Sequence, residues 1–258
     1  MNLKIKDKYF VVSGASSGFG HAIALRLVAE GARVLAVART QKKLEKLETE
    51  GKGCVEILCG DITQSATIDQ LMKKIGRRKI AGVLVNAGGP PARSFVEATL
   101  GDWDAAYAQL LRWKVELSKR MIPLFEKEGY GRFLFIESAS LKQPMDNLVL
   151  STSLRLGVVG FVKTMANELA SKGITANIIA PGYHDTAALD RIFRKMSETR
   201  GITAEQARQN MTAAIPVQKL GDPAELASLA VWLLSPLSSF VTGQTITIDG
   251  GTVKYLFG

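Results

Sequence analysis

Histidine is scarce in this chain, with only His21 and His184 among 258 residues. So few imidazoles exclude a histidine-rich metal centre, and no metal is expected. Cysteine is equally rare. Cys54 and Cys59 lie five apart, on what reads as a strand and the turn after it, so a reduced, structural role is expected and not a disulfide framework. Long apolar runs are missing too. The longest, LGVVGFV at 156–162, falls far short of the ~20 residues a bilayer span needs, so no membrane partner is expected. The N-terminal stretch MNLKIKDKYFVV lacks the apolar region and cleavage pattern of a signal peptide, which makes a cytoplasmic protein the expectation. Aromatic residues make up 7% and do not interleave with the basic clusters. Nucleic acid is therefore not the expected partner, although the formal charge is +9. Those clusters (Lys42–Lys43; Lys73–Lys74 with Arg77, Arg78 and Lys79; Arg191, Arg194 and Lys195) read as solvated helix faces. Their field also suits an acidic substrate or a phosphorylated cofactor.

The sequence does have a regular alternation of β-branched runs and helical patterns, without repeats or a linker-like shift in composition. Strands are expected at 9–14, 33–38, 55–59, 82–87, 132–138, 176–181 and 245–250, and helices at 18–30, 40–50, 64–77, 102–128, 152–171 and 222–234. The early strands are continuously apolar, as in a sheet covered on both faces. The pattern predicts an α/β fold. The expectation is one Rossmann-type, doubly wound domain over 1–258, with seven parallel strands and helices on both faces. A (β/α)8 barrel is the rival, but it needs eight regular units.

The segment SGASSGFGHAIA, residues 13–24, follows the first strand and opens the first helix. Glycines there let backbone approach a pyrophosphate, and free N–H groups at a helix N-terminus attract its charge. The spacing of Gly14, Gly18 and Gly20, with Ser16, Ser17 and Phe19 between them, resembles the short-chain dehydrogenase/reductase family. The resemblance runs nearly end to end. It includes Asp61–Ile62 after the third strand, VNAG at 85–88, GRFLFIES at 131–138, Pro181–Gly182, and VTGQTITIDGG at 241–251.

The resemblance implies a nicotinamide cofactor. Asp61 and Ile62 would then flank the adenine, Asn86, Ala87 and Gly88 would line the cofactor groove, and Thr186 would meet the nicotinamide amide beyond Pro181 and Gly182. The second strand ends AVART. Ala38 stands where NAD enzymes of this fold carry an acid, with Arg39 and Thr40 next. An arginine fork matches a 2′-phosphate that a carboxylate would repel, so NADP(H) is expected.

The family reduces or oxidises a carbonyl–alcohol pair with a serine, a tyrosine and a lysine four residues after the tyrosine, supported by an asparagine on an earlier helix. Ser138 matches the serine. Thirteen residues later, at the tyrosine position, stands Ser151, the lysine position holds Arg155, and the asparagine position falls on Leu110. No tyrosine occurs between Tyr130 and Tyr183. Ser151 and Arg155 share a helix face. Arginine keeps the positive charge but cannot lose a proton near neutral pH, and a serine hydroxyl is a far weaker acid than a phenol. Lys142 and Tyr183 are the candidate replacement proton donors, with bulk water passing along Ser151 as a third route. Glu137 is expected to turn to the other strand face from Ser138, and His184 to be an ordinary loop residue. The expected function is an NADP(H)-dependent oxidoreductase acting on a small carbonyl or alcohol, such as a 3-oxoacyl thioester or a sugar, with an acidic or carrier-protein-linked substrate allowed by the charge. The alternative is a catalytically impaired NADP(H)-binding sensor or assembly protein. The resemblance implies a homotetramer, or else a dimer, burying the LGVVGFV face and the VKYLFG tail.

Overall fold

Apolar side chains on both faces of a strand demand cover on both sides, and the fold supplies it. The computed structural model describes residues 2–187, 189, 190, 193, 194, 197 and 201–256. Arg191 and Lys195 of one basic cluster, and Phe257 and Gly258 of the tail, lie outside them. Seven strands, β1 (Tyr9–Ser13), β2 (Arg33–Ala38), β3 (Val55–Cys59), β4 (Ile80–Val85), β5 (Gly131–Ile136), β6 (Ile174–Pro181) and β7 (Thr245–Ile248), form one sheet in the order β3-β2-β1-β4-β5-β6-β7. Every pairing is parallel. The order reverses between β1 and β4, the switch point outside whose carboxyl ends ligands bind in such sheets.

Alternation along the strands splits the core in two. Phe10, Val12, Leu134 and Ile136 face one layer with α1 (Gly18–Ala29) and α2 (Gln41–Glu50). Val11, Val83, Phe133 and Phe135 face the other with α3 (Ser65–Ile75). The expected single helix over 102–128 is instead α4 (Leu100–Tyr107), a wide π-helical turn at Ala108–Arg112 and α5 (Trp113–Glu128). Such turns recur at functional sites. This one is tied to the loop after β4 by Gln109 Nε2, which donates to the Gly89 carbonyl at 3.1 Å.

Helix α6 (Val149–Leu169) starts a turn earlier than expected, so Ser151 lies inside it. By length and composition α6 could cross a bilayer. Its Val158, Val162 and Met165 are instead packed against the second core layer. Helix α7 (Ala204–Ala213) was not anticipated, because Ala207 is its single fully buried residue. Its signal was the capping box Thr203 with Gln206. Helix α8 (Pro223–Leu234) closes the first layer over α1.

Candidate active site

The candidate site has two halves, and the half around the glycine loop is shaped by backbone. Gly14 has φ +64°, and a Cβ there would sit 2.7 Å from Asn86 Nδ2. A Cβ on Gly20 would lie 2.2 Å from the Gly14 carbonyl oxygen, so the first turn of α1 presses directly on the loop. Ser17, at the N-cap, makes no side-chain cap bond, which leaves the first N–H groups of α1 free for an anion. Thr186 stands against this loop, its Cγ2 3.7 Å from where a Gly18 Cβ would be. Gly182 is held by a hydrogen bond from its N–H to the Ile248 carbonyl (2.9 Å), just beyond Pro181. His184, buried, contacts the Gly182 carbonyl through Nδ1 (3.2 Å) and lies edge-on to Phe19, with ring centroids 5.1 Å apart. Burial pushes its pKa down, so the imidazole acts as a neutral spacer between the two loops.

Arg39 and Thr40 are exposed at the end of β2, and Arg39 Nη1 lies 4.0 Å from Asp61 Oδ2. Asp61 accepts from the Thr63 N–H and hydroxyl at 3.0 and 2.9 Å, which fixes the turn in front of buried Ile62. Sequence reasoning passed over Ser13. Its buried hydroxyl accepts from the Asn86 N–H at 2.9 Å and lies 3.0 Å from the Leu84 carbonyl. It stitches β1 to the Asn86–Gly88 turn, and its one readable signal was a polar end to an apolar strand.

The second half is a chain of buried charges. Arg155 Nε donates to Ser151 Oγ at 3.0 Å, and Arg155 Nη1 donates to Glu137 Oε2 at 2.7 Å. The other Glu137 oxygen, Oε1, accepts from Lys114 Nζ of α5. Side-chain exposure is 2% for Lys114, 0% for Glu137 and 9% for Arg155. Glu137 joins this cluster from the strand face opposite Leu134 and Ile136. Alternation along β5 sends Phe133 and Phe135 towards α5 and α6, and Glu137 continues that row into the cluster. Lys114 was not foreseen, since a lysine inside a helical pattern reads as solvated. Burial lowers its pKa to about 8, against the opposing pull of Glu137 and with a further push from Arg155. Arg155 Nη2 points to the loop after β4, 3.2 Å from where a Gly89 Cβ would be. Leu110 is buried in the π-helical turn and offers no polar group in the asparagine's place.

Ser138 is half-buried and accepts from the Ser140 N–H at 3.2 Å. Lys142 follows on the next turn, half-buried, its ammonium without a hydrogen-bond partner among the described residues and its pKa lowered by burial. Tyr183 packs its ring on Leu189, Phe193 and Ala207. A cleft of about 550 Å³ opens between the loops after β4 and β5, walled by Phe95, Met145, Asn147 and Thr152. It adjoins the turn of α6 that carries Ser151, but Ser138 and Arg155 are not in its wall.

A family model described as enoyl-(acyl carrier protein) reductase matches residues 14–253. The chain belongs to the short-chain dehydrogenase/reductase family. The 3-oxoacyl-[acyl-carrier-protein] reductase FabG of Vibrio cholerae is 30% identical over 256 residues, covering 96% of this chain and 98% of that one. The NADPH-dependent reductase BacG of Bacillus subtilis is 28% identical over 254 residues, covering 94% and 96%. The L-sorbose reductase of Gluconobacter frateurii, solved with NADPH and L-sorbose, superposes with a TM-score of 0.93 at 25% identity, covering 99% of this chain and all of that one. Membership makes this short-chain dehydrogenase/reductase an oxidoreductase.

Proposed function

We propose that this chain is an NADP(H)-dependent reductase of small carbonyl compounds, or the reverse alcohol dehydrogenase. The observation that carries the reading is Arg155: buried, hydrogen-bonded to Ser151, and with its third nitrogen facing the Gly89 loop. A cation held there, next to Asn86, Ala87 and Gly88, suits the ribose of a bound nicotinamide nucleotide. The glycine loop fits such a cofactor, because a Cβ at Gly14 or Gly20 would fill the cradle and the helix end above it is uncapped. The cofactor would supply the hydride. Gly14, Ser16, Ser17, Gly18, Phe19 and Gly20 would hold its pyrophosphate, Arg39 and Thr40 its 2′-phosphate, Asp61 and Ile62 its adenine, and Pro181, Gly182 and Thr186 its nicotinamide amide.

Charge develops on the substrate oxygen as the carbonyl is reduced, and donors aimed at it lower the barrier. Ser138 and Ser151 supply hydroxyl donors. Ser151 accepts from Arg155 Nε, which leaves its own proton free to point at the substrate. Lys142, unpaired and with a depressed pKa, is the first candidate to deliver the proton, ahead of Tyr183, whose ring is engaged in packing. The named substrates of similar proteins, 3-oxoacyl-carrier-protein and L-sorbose, mark out the classes to try. A net charge of +9 suits an acidic or carrier-linked substrate. We further propose a cytoplasmic homotetramer; a monomer by light scattering would refute the assembly.

The test is NADPH oxidation with acetoacetyl thioester, L-sorbose, aldehydes and α-dicarbonyls, with Ser138→Ala, Ser151→Ala, Arg155→Ala, Lys142→Ala and Tyr183→Phe alongside. Turnover lost in the first three variants supports the reading. Tight NADPH binding without turnover on any compound would favour the alternative, a sensor or assembly protein.

A further inference from the structure

The buried charges of the second half do not balance. Lys114 and Arg155 carry two positive charges and Glu137 one negative, all within a cluster almost closed to solvent. An uncompensated buried charge is expensive, and a neutral pair would be cheaper to fold. The excess follows a pattern. The family's lysine, by resemblance, places one cation beneath the nicotinamide ribose. Arg155 stands in that position, but Glu137 takes up its charge through Nη1. Lys114, bonded to the other oxygen of the same carboxylate, brings the cluster back to one net positive charge.

Geometry explains why the cation at 155 is an arginine. Its three nitrogens point in three fixed directions: Nε to Ser151, Nη1 to Glu137, Nη2 towards the Gly89 loop. A lysine ammonium offers one centre and cannot hold all three. The plane of the guanidinium is set by Glu137, and Glu137 is set by Lys114. A rotation of that plane would remove the bond to Ser151 and turn its hydroxyl elsewhere.

We propose that Lys114 and Glu137 are positioning residues that act through Arg155, holding Ser151 in donor orientation and supplying the net positive charge that replaces the family's lysine. The inference rests on the reading of the site given above. The charged groups facing Lys114 are Glu137, directly after β5, and Arg155 from α6, and no others act on it among the described residues. The nearby acid on its own helix, Glu116, is engaged by Ser65.

Lys114 is charged below about pH 8 and neutral above it. The net charge of the cluster thus falls from plus one to zero as pH rises through that value. The test measures NADPH affinity by nicotinamide fluorescence and kcat and KM for acetoacetyl thioester, both from pH 7 to pH 9.5. In the wild type, kcat should fall roughly 10-fold across this range with little change in KM, as expected for loss of one charge near a partly desolvated site. NADPH affinity should weaken several-fold. Lys114→Met should be low at pH 7 and flat in both profiles, and Glu137→Gln should lower kcat without restoring the wild-type pH slope. Titratable groups outside the cluster are the same in both proteins and cancel in the comparison. Lys114→Gln serves in place of Lys114→Met should the latter not fold.

A Lys114 variant that keeps wild-type kcat and pH slope overturns the inference while leaving the proposed reductase intact. With no turnover on the thioester, the NADPH profile decides: an affinity equally dependent on pH in wild type and variant overturns it. Failure of the wild type to bind NADPH at any pH refutes the cofactor assignment itself, and the inference with it.

Discussion

The two halves of the site are built from different materials. The nucleotide half is backbone: glycines without room for a Cβ, an uncapped helix end, and the Ser13 hydroxyl holding the Asn86 turn. The half proposed to react is side chain: Lys114, Glu137, Arg155 and Ser151, drawn from three separate elements into one buried chain. Backbone shape can be met by very few residue types, so this half follows the family pattern. Charge and hydrogen bonds can be supplied by many combinations, so the other half can, on the proposed reading, differ from it in its residues.

The contrast can be broken most forcefully at Glu137. Glu137→Ala leaves two cations facing one another without a carboxylate, and removing one partner of a buried pair costs about 3–5 kcal/mol. Melting should fall by roughly 10 °C; a shift within about 2 °C would mean that the cluster is not an energetic unit. Next in size is the linkage of Lys114. Its pKa is lowered in the fold, from 10.5 to about 8, so between those values only the unfolded chain holds the proton. Stability should therefore rise with pH across that window, and be lost as pH falls through about 8, by on the order of 3 kcal/mol. Denaturant unfolding of wild type and Lys114→Met at pH 7.5 and 10 reads this directly, since the stability of the wild type relative to the variant should rise at the higher pH.

Gly20→Ala tests the backbone half. Its Cβ would overlap the Gly14 carbonyl, and NADPH affinity should drop about 100-fold, close to 2.7 kcal/mol. Equal affinity would show that the loop yields more easily than its packing implies. The smallest effect is expected at Arg39, whose side chain is 73% exposed. Arg39→Asp should reduce the preference for NADPH over NADH by roughly 10-fold, as a solvated charge contributes only about 1 kcal/mol. Titration with both nucleotides checks it, and a preference left unchanged removes Arg39 as the selector.

Short β-branched runs between helical patterns made the seven strands legible, because a sheet covered on both faces leaves unbroken apolar runs in the chain. The boundaries moved where turn chemistry intervened, as at the π-helical turn that splits the expected 102–128 helix. Helix α7 escaped notice because its stability lies in its cap and not in an apolar stripe. The glycine loop and the Ser138, Ser151 and Arg155 register could be read for the same local reason: their spacing along the chain carries the information.

The sequence by itself determined the sheet and the glycine loop, both of which are local in the chain, and it carries the serine and arginine at 151 and 155 on which the proposed site rests. Only the tertiary structure decided what became of Arg155. Lys114 and Glu137 lie 23 residues apart, and Glu137 and Arg155 18 apart. No periodicity links them, and nothing in the local sequence pairs Glu137 with either Lys114 or Arg155. Packing α5 and α6 against the end of β5 removes the water around all three, and a desolvated charge must then find its partner in the protein.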